Sequence, residues 1–261
     1  MSSRLRAIAR DTVEISERGS YSVDGREVTI DVTPAVSGTR LHLPGDELSL
    51  PEQGELPRVD VTNESTVEAT RRLGGDIACL VFASARNPGG GFLNGAQAQE
   101  ESVARSSALY PCLLAAGDFY RHHRAHEDLT YTDRVIYSPR VPVFRDDKGN
   151  LLPEPYPVSF LTAAAPNRSA ITRNQPERAE GIPAALLGRA RRVLHVAAAH
   201  GHRRLVLGAW GCGVFGNDPA LVAETFRNAL RDNRFFDHVV FAVLDRQKGT
   251  PTLSAFATAL A

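Results

Sequence analysis

The first thirty residues combine a helical and an alternating pattern of apolar positions. Five residues recur at the i, i+3, i+4 spacing that places side chains on one face of a helix. This face consists of Leu5, Ile8, Ala9, Thr12 and Val13. We expect the helix to end at Gly19, a residue suited to a left-handed cap. The alternation from Tyr21 to Val32, around Asp24-Gly25, predicts a β-hairpin with a tight turn.

A less regular stretch separates this hairpin from the rest of the chain. Residues 33–57 carry Pro, Gly and charges of both signs, and they predict irregular structure. Ser65 and Glu68 then have the spacing of a capping box, which predicts the start of a short helix. Gly74-Gly75 predicts its end.

From residue 77 onward, apolar runs of strand length alternate with helical patterns. Residues 77–84 form a continuous apolar run, as expected for a strand buried on both faces. A helix is expected from about Ala98, kinked or divided by Pro111. Another begins at Asp218-Pro219, with Asp as its N-cap. The other expected elements are strands at 134–137, 158–163, 205–208 and 238–244, a long helix at 183–200 ended by Gly201, and a short closing helix.

This alternation predicts one three-layer α/β domain over residues 1–261. Residues 1–57 are expected to form an N-terminal helix-and-hairpin extension that packs on the domain. The length of 261 residues is sufficient for a substantial core.

Composition narrows the classes of partner. Lys plus Arg and Asp plus Glu both number 30, so the formal net charge is zero and no global field attracts nucleic acid or an anionic membrane. The N-terminus lacks the apolar core of a signal peptide, and no uncharged stretch reaches the roughly 20 residues needed to span a membrane. Three cysteines without CxxC spacing give no disulfide framework. We therefore expect a cytoplasmic protein that binds neither membranes nor nucleic acid directly.

The first candidate site is the loop from Asn87 to Glu101. Its three glycines, at 89–91, follow a predicted buried strand, where open α/β sheets place their ligands. A lone GGG is as often a flexible turn as a ligand loop. Here, however, the loop leads directly into paired carboxylates at a helix start.

Glu100 and Glu101 fall in the first turn of that helix. Acids there also complement the helix dipole, so the pair alone does not establish chemistry. Adjacent helical residues point about 100° apart, and they cannot flank one bond from opposite faces as two-carboxylate glycosidases require. In a hydrolytic site, one glutamate would do the acid–base work and the other would position substrate.

The second candidate site is the loop from Gly208 to Pro219, between a strand and a helix start. Glycine-rich backbone at a helix N-terminus suits a phosphate or diphosphate. Residues 211–216 also satisfy GxGxxG, and Asp245 could serve as a ribose-binding acid, which favours a dinucleotide-dependent oxidoreductase as a rival. Only 16 residues follow Asp245, whereas a doubly wound nucleotide fold normally starts with this fingerprint.

Other reactive residues carry weaker signals. Cys212 is a possible nucleophile, but no partner histidine is identifiable by spacing. His122, His123 and His126 lack the glutamate of HExxH and are interpreted as a solvated helix face. The other histidines, His195, His200 and His202, are interpreted as helix-surface or helix-end residues. Trp210 is expected to anchor its loop by burial. No metal site and no cofactor are expected.

Together the two loops resemble those of the bacterial-type poly(ADP-ribose) glycohydrolases. Their signature is GGG, six to eight residues, then QEE, and the segment from Phe92 to Ala98 supplies seven residues before QEE here. The segments SxxRSSALY from Ser102, APN from Ala165 and LVLGAWGCGVFGNDP from Leu205 also match in order. The resemblance covers nearly the whole chain. It implies a macrodomain, in which a mixed sheet lies between helices and an ADP-ribose cleft lies at one end.

The resemblance also implies roles for individual residues. Glu101 matches the catalytic glutamate, Glu100 the glutamate that hydrogen-bonds substrate ribose, and Gln99 a supporting glutamine. The loop beside the distal ribose is matched by Gly89, Gly90 and Gly91, and Asn87 is expected to contact that ribose. The diphosphate-binding loop is matched by Gly211, Cys212, Gly213, Val214, Phe215 and Gly216, with Phe215 packed on the distal ribose. Phe241 is expected near the adenine by analogy.

The implied reaction is hydrolysis of the ribose–ribose O-glycosidic bond of poly(ADP-ribose), from chain ends, with Glu101 as general acid and then base. The implied partners are ADP-ribose chains on modified proteins. Two alternatives stay open beside the oxidoreductase. One is a non-catalytic ADP-ribose-binding macrodomain, and the other is a hydrolase of mono-ADP-ribosylated protein or nucleic acid.

Overall fold

The N-terminal helix α1 spans Ser3–Arg18 in a computed structural model that describes residues 2–261. It ends at Gly19, whose φ of 75° is left-handed, as predicted. The predicted hairpin is also confirmed, with strands β1 (Ser20–Val23) and β2 (Arg26–Thr29). Asp24 and Gly25 both have positive φ, 50° and 73°, which is the backbone that tight two-residue hairpins require.

The expectation of irregular structure over 33–57 is wrong for its first part. Helix α2 spans Thr33–Gly38, and strand β3 spans Arg40–His42. Pro34 supports the start of α2, but a six-residue helix is too short to show a periodic pattern. Strand β3 belongs to the main sheet, so the N-terminal segment contributes a strand as well as packing against the domain.

Strand β4, at Arg58–Thr62, follows and was not predicted. Helix α3 (Thr66–Leu73) has the predicted capping box of Ser65 and Glu68 and ends at Gly74. Strand β5 (Ala78–Phe82) confirms the predicted buried strand.

The helix expected from Ala98 is divided, but not at Pro111. Helix α4 spans Gln99–Ser106, α5 spans Leu109–Ala115, and α6 spans Asp118–Ala125. The break is at Ser107, which has extended backbone and forms a β-bridge with Val143. Pro111 is the third residue of α5, in the first turn, where backbone N–H groups have no acceptor within the helix and the N–H that proline lacks is not needed.

Strands β6 (Val135–Arg145) and β7 (Leu151–Ala163) form one long hairpin, much longer than the predicted segments. The intervening prolines hide it in the sequence, because proline is typical of turns and strand edges. The pairing shifts register between Ser138 and Val141, where the hairpin accommodates one of these prolines, Pro139.

The C-terminal half follows the predicted alternation closely. Helix α7 (Arg168–Asn174) was not predicted, whereas the long helix α8 (Ile182–Ala199) was. The predicted strand-helix-strand-helix series is confirmed. It comprises β8 (Arg204–Leu207), α9 (Pro219–Asp232), β9 (His238–Ala242) and α10 (Pro251–Leu260).

Within residues 2–261, seven strands form a mixed sheet of order β3-β6-β7-β5-β8-β9-β4. The five strands from β7 to β4 run parallel to their neighbours, while β3, β6 and β7 pair antiparallel. A hydrophobic cluster lies on each face of the sheet, and neighbouring β5 residues alternate between them: Leu80 joins one and Val81 the other. The carboxyl ends of β5, β8 and β9 therefore meet at one edge, where such sheets bind ligands.

Among the helices of the described residues, none is long and apolar enough to cross a membrane.

Candidate active site

A cleft of about 780 Å³ opens at the carboxyl ends of β5, β8 and β9. Its walls are the starts of α3 and α4, the loop at 209–215 and the segment at 242–247. Residues 97–101 of the first loop and residues 209–215 of the second therefore meet at one site, as the parallel arrangement of β5 and β8 leads us to expect. The glycines at 89–91 are not among the residues that line the cleft.

Gln99 connects the start of α4 to the end of β5. Its Oε1 accepts the N–H of Phe82 at 2.9 Å, and its Nε2 donates to the carbonyl of Leu80 at 2.9 Å. A third hydrogen bond runs from Nε2 to Oγ1 of Thr66, at 3.1 Å. The side-chain amide of Gln99 thus satisfies backbone hydrogen-bonding groups at the end of β5. It thereby fixes the position at which Glu100 and Glu101 enter the cleft.

Glu100 is buried, with 3% of its surface exposed. Its Oε2 accepts the N–H of Ser84 at 2.6 Å, while its Oε1 is buried and has no partner among the described residues. Burial raises the pKa of Glu100 well above its usual range, and the neighbouring charge of Glu101 adds to this. The N–H groups of Ser84 and Gly89 act in the opposite direction but do not cancel it. The structure therefore favours a protonated Glu100.

Glu101 has a similar division between its two oxygens. Its Oε1 accepts the N–H of Gly91 at 3.0 Å. Its Oε2 is buried and unpartnered within residues 2–261. One oxygen is thus fixed by the glycine loop, and the other is left for a ligand.

Gly90 lies between the two carboxylates. A Cβ there would collide with Oε1 of Glu101 and lie 3.0 Å from Oε2 of Glu100. Its φ of +60° also disfavours a side chain. By contrast, Asn87 is exposed and is not among the residues that line the cleft. Its N–H donates to Oγ of Ser84 at 3.2 Å, so the structure gives it a role in the turn.

The second loop is built on two left-handed glycines and a buried amide. Gly211 and Gly216 have φ of +72° and +67°. Nδ2 of Asn217 donates to the carbonyl of Pro166 at 2.9 Å and fixes the loop to the chain beyond β7. Trp210 is 1% exposed, and its Nε1 donates to Ala163 at 3.0 Å, which confirms that it anchors the loop.

Three consecutive backbone N–H groups of this loop, at Gly213, Val214 and Phe215, have no acceptor within residues 2–261. Consecutive free N–H groups are a common way to bind a diphosphate. The helix start was also expected to attract the anion. However, Asp218 already caps α9, accepting the N–H of Leu221 at 2.8 Å. The loop, rather than the helix terminus, supplies the free donors.

Cys212 lines the cleft but is not an activated thiol. Burial and the nearby charge of Asp218 raise its pKa to about 12. An activated cysteine requires the opposite shift, so the structure argues against a nucleophilic role.

Phe241 was expected near the adenine by analogy, and the structure places its ring in the core rather than on the surface of the cleft. Phe241 is fully buried, and its ring packs on Phe226 and Phe256 with centroids 5.7 and 5.8 Å away. Both faces of β9 are apolar, so the sequence does not indicate which face this ring occupies. Residues 242–247, immediately after it, line the cleft instead.

Asp245 was the acid on which a dinucleotide-binding site would depend. Its carboxylate instead accepts the N–H groups of Gln247 and Thr252, at 2.9 and 2.7 Å, and so supports the start of α10. The GxGxxG segment follows β8 near the centre of the sheet, late in the chain. These features disfavour the oxidoreductase.

The histidines do not form one face. His122 and His126 stack on each other at a centroid distance of 3.9 Å. His123 is 2% exposed, contrary to the expected solvated face, and burial is the main cause that lowers its pKa to about 4. His202 is also buried rather than at the surface, and its Nε2 lies 2.9 Å from the hydroxyl of Tyr137.

Sequence reasoning missed one wall of the cleft, which is formed by residues 64–68 and the tip of the β6–β7 hairpin. There, Oγ of Ser65 contacts the carboxylate of Asp147. Strand β4 leads into residues 64–68 and is parallel to β9, so identifying β4 would have placed them at the same edge. The hairpin tip is far away in sequence, and no local pattern brings it there.

The mixed sheet between helices, with a glycine-loop cleft and paired glutamates at its carboxyl edge, defines a macrodomain-type hydrolase site. The family model described as the microbial-type PARG catalytic domain, where PARG is poly(ADP-ribose) glycohydrolase, matches residues 9–146. The chain belongs to this family. No curated protein sequence matched the chain.

Solved structures of bacterial PARGs are similar to this chain over nearly all of its length. The enzyme from Thermomonospora curvata is 52% identical, with a TM-score of 0.92, and the match covers 99% of this chain and 100% of that one. The same enzyme bound to the inhibitor ADP-HPD gives 52% identity, a TM-score of 0.89 and coverage of 98% and 99%. The PARG from Deinococcus radiodurans in complex with ADP-ribose is 43% identical, with a TM-score of 0.80 and coverage of 92% and 98%.

Proposed function

We propose that this protein hydrolyses the ribose–ribose O-glycosidic bonds of poly(ADP-ribose) and releases ADP-ribose from chain ends. The observation that carries the proposal is the state of the two glutamates. Each has one oxygen fixed by a backbone N–H and one buried oxygen without a partner in residues 2–261. Buried unpartnered oxygens are costly, and a substrate that supplies hydroxyl and glycosidic oxygens would relieve this cost.

Glu101 is the proposed general acid and base. In its protonated form, Oε2 donates a proton to the leaving ribose oxygen as the C1″–O bond breaks. The distal ribose then develops positive charge, which the adjoining diphosphate offsets. The resulting carboxylate accepts a proton from water, whose oxygen bonds to C1″, so that Glu101 regains its proton and ADP-ribose leaves.

Glu100 is proposed to position the distal ribose. Burial raises the pKa of Glu100, which favours the neutral form of this buried carboxyl. A neutral acid both donates and accepts, so it suits a ribose hydroxyl. A neutral Glu100 also avoids placing two negative charges side by side.

The loop at 211–216 is proposed to bind the diphosphate. The free N–H groups of Gly213, Val214 and Phe215 would be its donors, and Gly213 has open space where a side chain would stand. Phe215 is proposed to pack on the distal ribose. Its side chain is half-buried, and its ring centroid lies 6.2 Å from that of Tyr131. The glycines at 89–91 and Gln99 are proposed to act through the glutamates they position.

The proposed partners are poly(ADP-ribose) chains on modified proteins. All three cysteines are free thiols, which supports a reducing compartment such as the cytoplasm. A reader without activity remains the principal alternative class. The unpartnered oxygen of Glu101 favours the enzyme, because binding the diphosphate and adenosine does not require an acid at that position.

The deciding experiment follows product formation from three substrates, namely long poly(ADP-ribose), a mono-ADP-ribosylated protein and mono-ADP-ribosylated nucleic acid. We expect ADP-ribose from the polymer from the earliest time points, without a burst of free oligomers. Early free oligomers would contradict cleavage from chain ends. An inactive protein that still binds ADP-ribose would favour the reader, and release from only the mono-modified substrates would reassign the substrate.

A further inference from the structure

The arginine of the SxxRSSALY segment has no part in the reaction described so far. Arg105 lies on α4, one turn after Glu101, and only 6% of it is exposed. Within residues 2–261, no carboxylate lies within 4.0 Å of its guanidinium, although the charge of Glu101 on the same helix partly opposes the effect of burial, which lowers the pKa of Arg105. A buried charge without an ion pair is costly, so the fold must gain something from its presence.

Arg105 instead contacts the loop that leads into α4. Its Nη1 donates to the carbonyl of Ala96 at 2.6 Å, and its Nη2 lies 3.4 Å from Oγ of Ser102. A hydrogen bond to a carbonyl is stronger when its donor is cationic than when its donor is neutral. Arg105 therefore holds the C-terminal end of the segment at 91–96.

Glu101 holds the opposite end of the same segment. The N–H of Gly91 donates to Oε1 of Glu101 at 3.0 Å, and the N–H of Ala96 donates to the carbonyl of Gly91 at 3.1 Å. Three hydrogen bonds thus lead from Arg105 through Ala96 and Gly91 to Glu101. Because Arg105 and Glu101 are four residues apart on one helix, the circuit closes on α4.

The N-terminal helix contacts α4 beside this circuit, at the backbone of Arg105. Oγ1 of Thr12 donates to the backbone carbonyl of Arg105 at 2.8 Å and accepts Nε of Arg145 at 3.0 Å. Arg145 is equally buried, pairs with Asp11 and donates to Gly149 at 2.8 Å. It shares Thr12 with Arg105 but has no hydrogen bond to the 91–96 segment, so it provides a matched control.

We infer that Arg105 is a positioning residue that clamps the 91–96 segment to α4 and so keeps Oε2 of Glu101 free for the glycosidic oxygen. The inference rests on the proposed function only for its kinetic consequence. The clamp itself is a property of the protein without substrate, and it is tested separately.

The first test is hydrogen exchange of the 88–97 segment in Arg105→Met, Arg105→Lys and the control Arg145→Met. We expect faster exchange of this segment in Arg105→Met, with Arg105→Lys close to the unchanged protein because an ammonium also donates to a carbonyl. Arg145→Met should leave the segment protected. Unchanged exchange in a folded Arg105→Met would overturn the clamp, whether or not the protein is an enzyme.

The second test separates positioning from stability. In Arg105→Met, kcat on poly(ADP-ribose) should fall about 10- to 100-fold, as for small displacements of a catalytic group. KM and the Kd for ADP-ribose should change little, because the diphosphate loop is untouched. Arg105→Lys should recover most of kcat, and Arg145→Met should keep it.

Equal losses of kcat in Arg105→Met and Arg145→Met would overturn the inference, since both would then reflect general destabilisation. Should Arg105→Met fail to fold, Arg105→Gln, which is polar but has no cationic donor for the carbonyl of Ala96, carries both tests, with changes in the same directions as those expected for Arg105→Met. If the unchanged protein releases no ADP-ribose from polymer, the proposed function fails, while the exchange result still decides the clamp.

Discussion

Oε1 of Glu101 accepts the backbone N–H of Gly91 at 3.0 Å. This contact joins the glycine loop to the helix that bears the proposed acid. It also requires the chain at Gly90 to pass between the two glutamates, where a side chain has no room. The central glycine of GGG is thus sterically required by the glutamates of QEE, because a side chain at Gly90 would collide with Glu101.

Gly90→Ala is expected to abolish most turnover. The new Cβ would collide with Oε1 of Glu101, and the left-handed backbone alone costs on the order of 1 kcal/mol. Gly201→Ala is the matched control, because Gly201 has a φ of +80° but open space at its Cβ position. In parallel assays, we expect both variants to lose a similar amount of melting temperature. Only Gly90→Ala should also lose turnover. Full activity in Gly90→Ala would contradict the close packing.

Gly213→Val should remove ADP-ribose binding without unfolding the protein. A side chain at this position would meet no atom within 4 Å, so the fold should tolerate it, and its bulk would be added to the loop that bears the free N–H groups. At a hundredfold excess over Kd, ADP-ribose should raise the melting temperature of the unchanged protein by about 5–10 °C. We expect no shift in Gly213→Val. Gly181→Val, at an exposed position with open space, should keep the shift, and a full shift in Gly213→Val would place the diphosphate elsewhere.

Cys212→Ala should keep turnover within a few-fold of the unchanged protein. Since the pKa of this thiol is raised to about 12, little thiolate exists at neutral pH. Iodoacetamide should correspondingly react slowly with Cys212 at pH 8, measured by mass spectrometry. Loss of all activity in a folded Cys212→Ala would reinstate the nucleophile.

Sequence patterns predicted most elements whose ends carry a clear local signal. Gly19, the Ser65–Glu68 box and Asp218-Pro219 each mark a helix boundary that the structure confirms. Strand β4 was missed although its RVDVT sequence alternates, because five residues directly after a stretch rich in Pro, Gly and charge give only a short pattern. The burial of Phe241 was missed because a strand buried on both faces has no alternation to orient it.

In the candidate site, too, local sequence patterns predicted some features and not others. The two glutamates and two loops follow from short motifs, but the states of their atoms do not. The raised pKa of Glu100 depends on burial, and the free N–H groups at 213–215 depend on which neighbours consume the other donors. Both result from tertiary packing, as does the clamp by Arg105.

Glu100→Gln is expected to stabilise the protein at neutral and alkaline pH. Because the folded-state pKa of Glu100 is raised, its contribution to stability is fully present below the unfolded-state pKa of about 4.3 and is lost as pH rises through the folded value. Glutamine stays neutral throughout. Melting temperatures measured from pH 4 to 9 should therefore favour Glu100→Gln increasingly as pH rises. A constant difference across this range would contradict the raised pKa.

Glu101→Gln separates the enzyme from the reader. Glutamine keeps the shape and can still accept the N–H of Gly91, but it has no proton to transfer. If Glu101 is the sole general acid and base, turnover of poly(ADP-ribose) should fall by at least the roughly 10²–10⁴-fold typical of that role. The Kd for ADP-ribose should change little, because the diphosphate loop is intact. Glu100→Gln, the matched variant one residue away, should show a smaller loss that appears partly in binding. Turnover by Glu101→Gln equal to that of the unchanged protein would remove Glu101 from the mechanism.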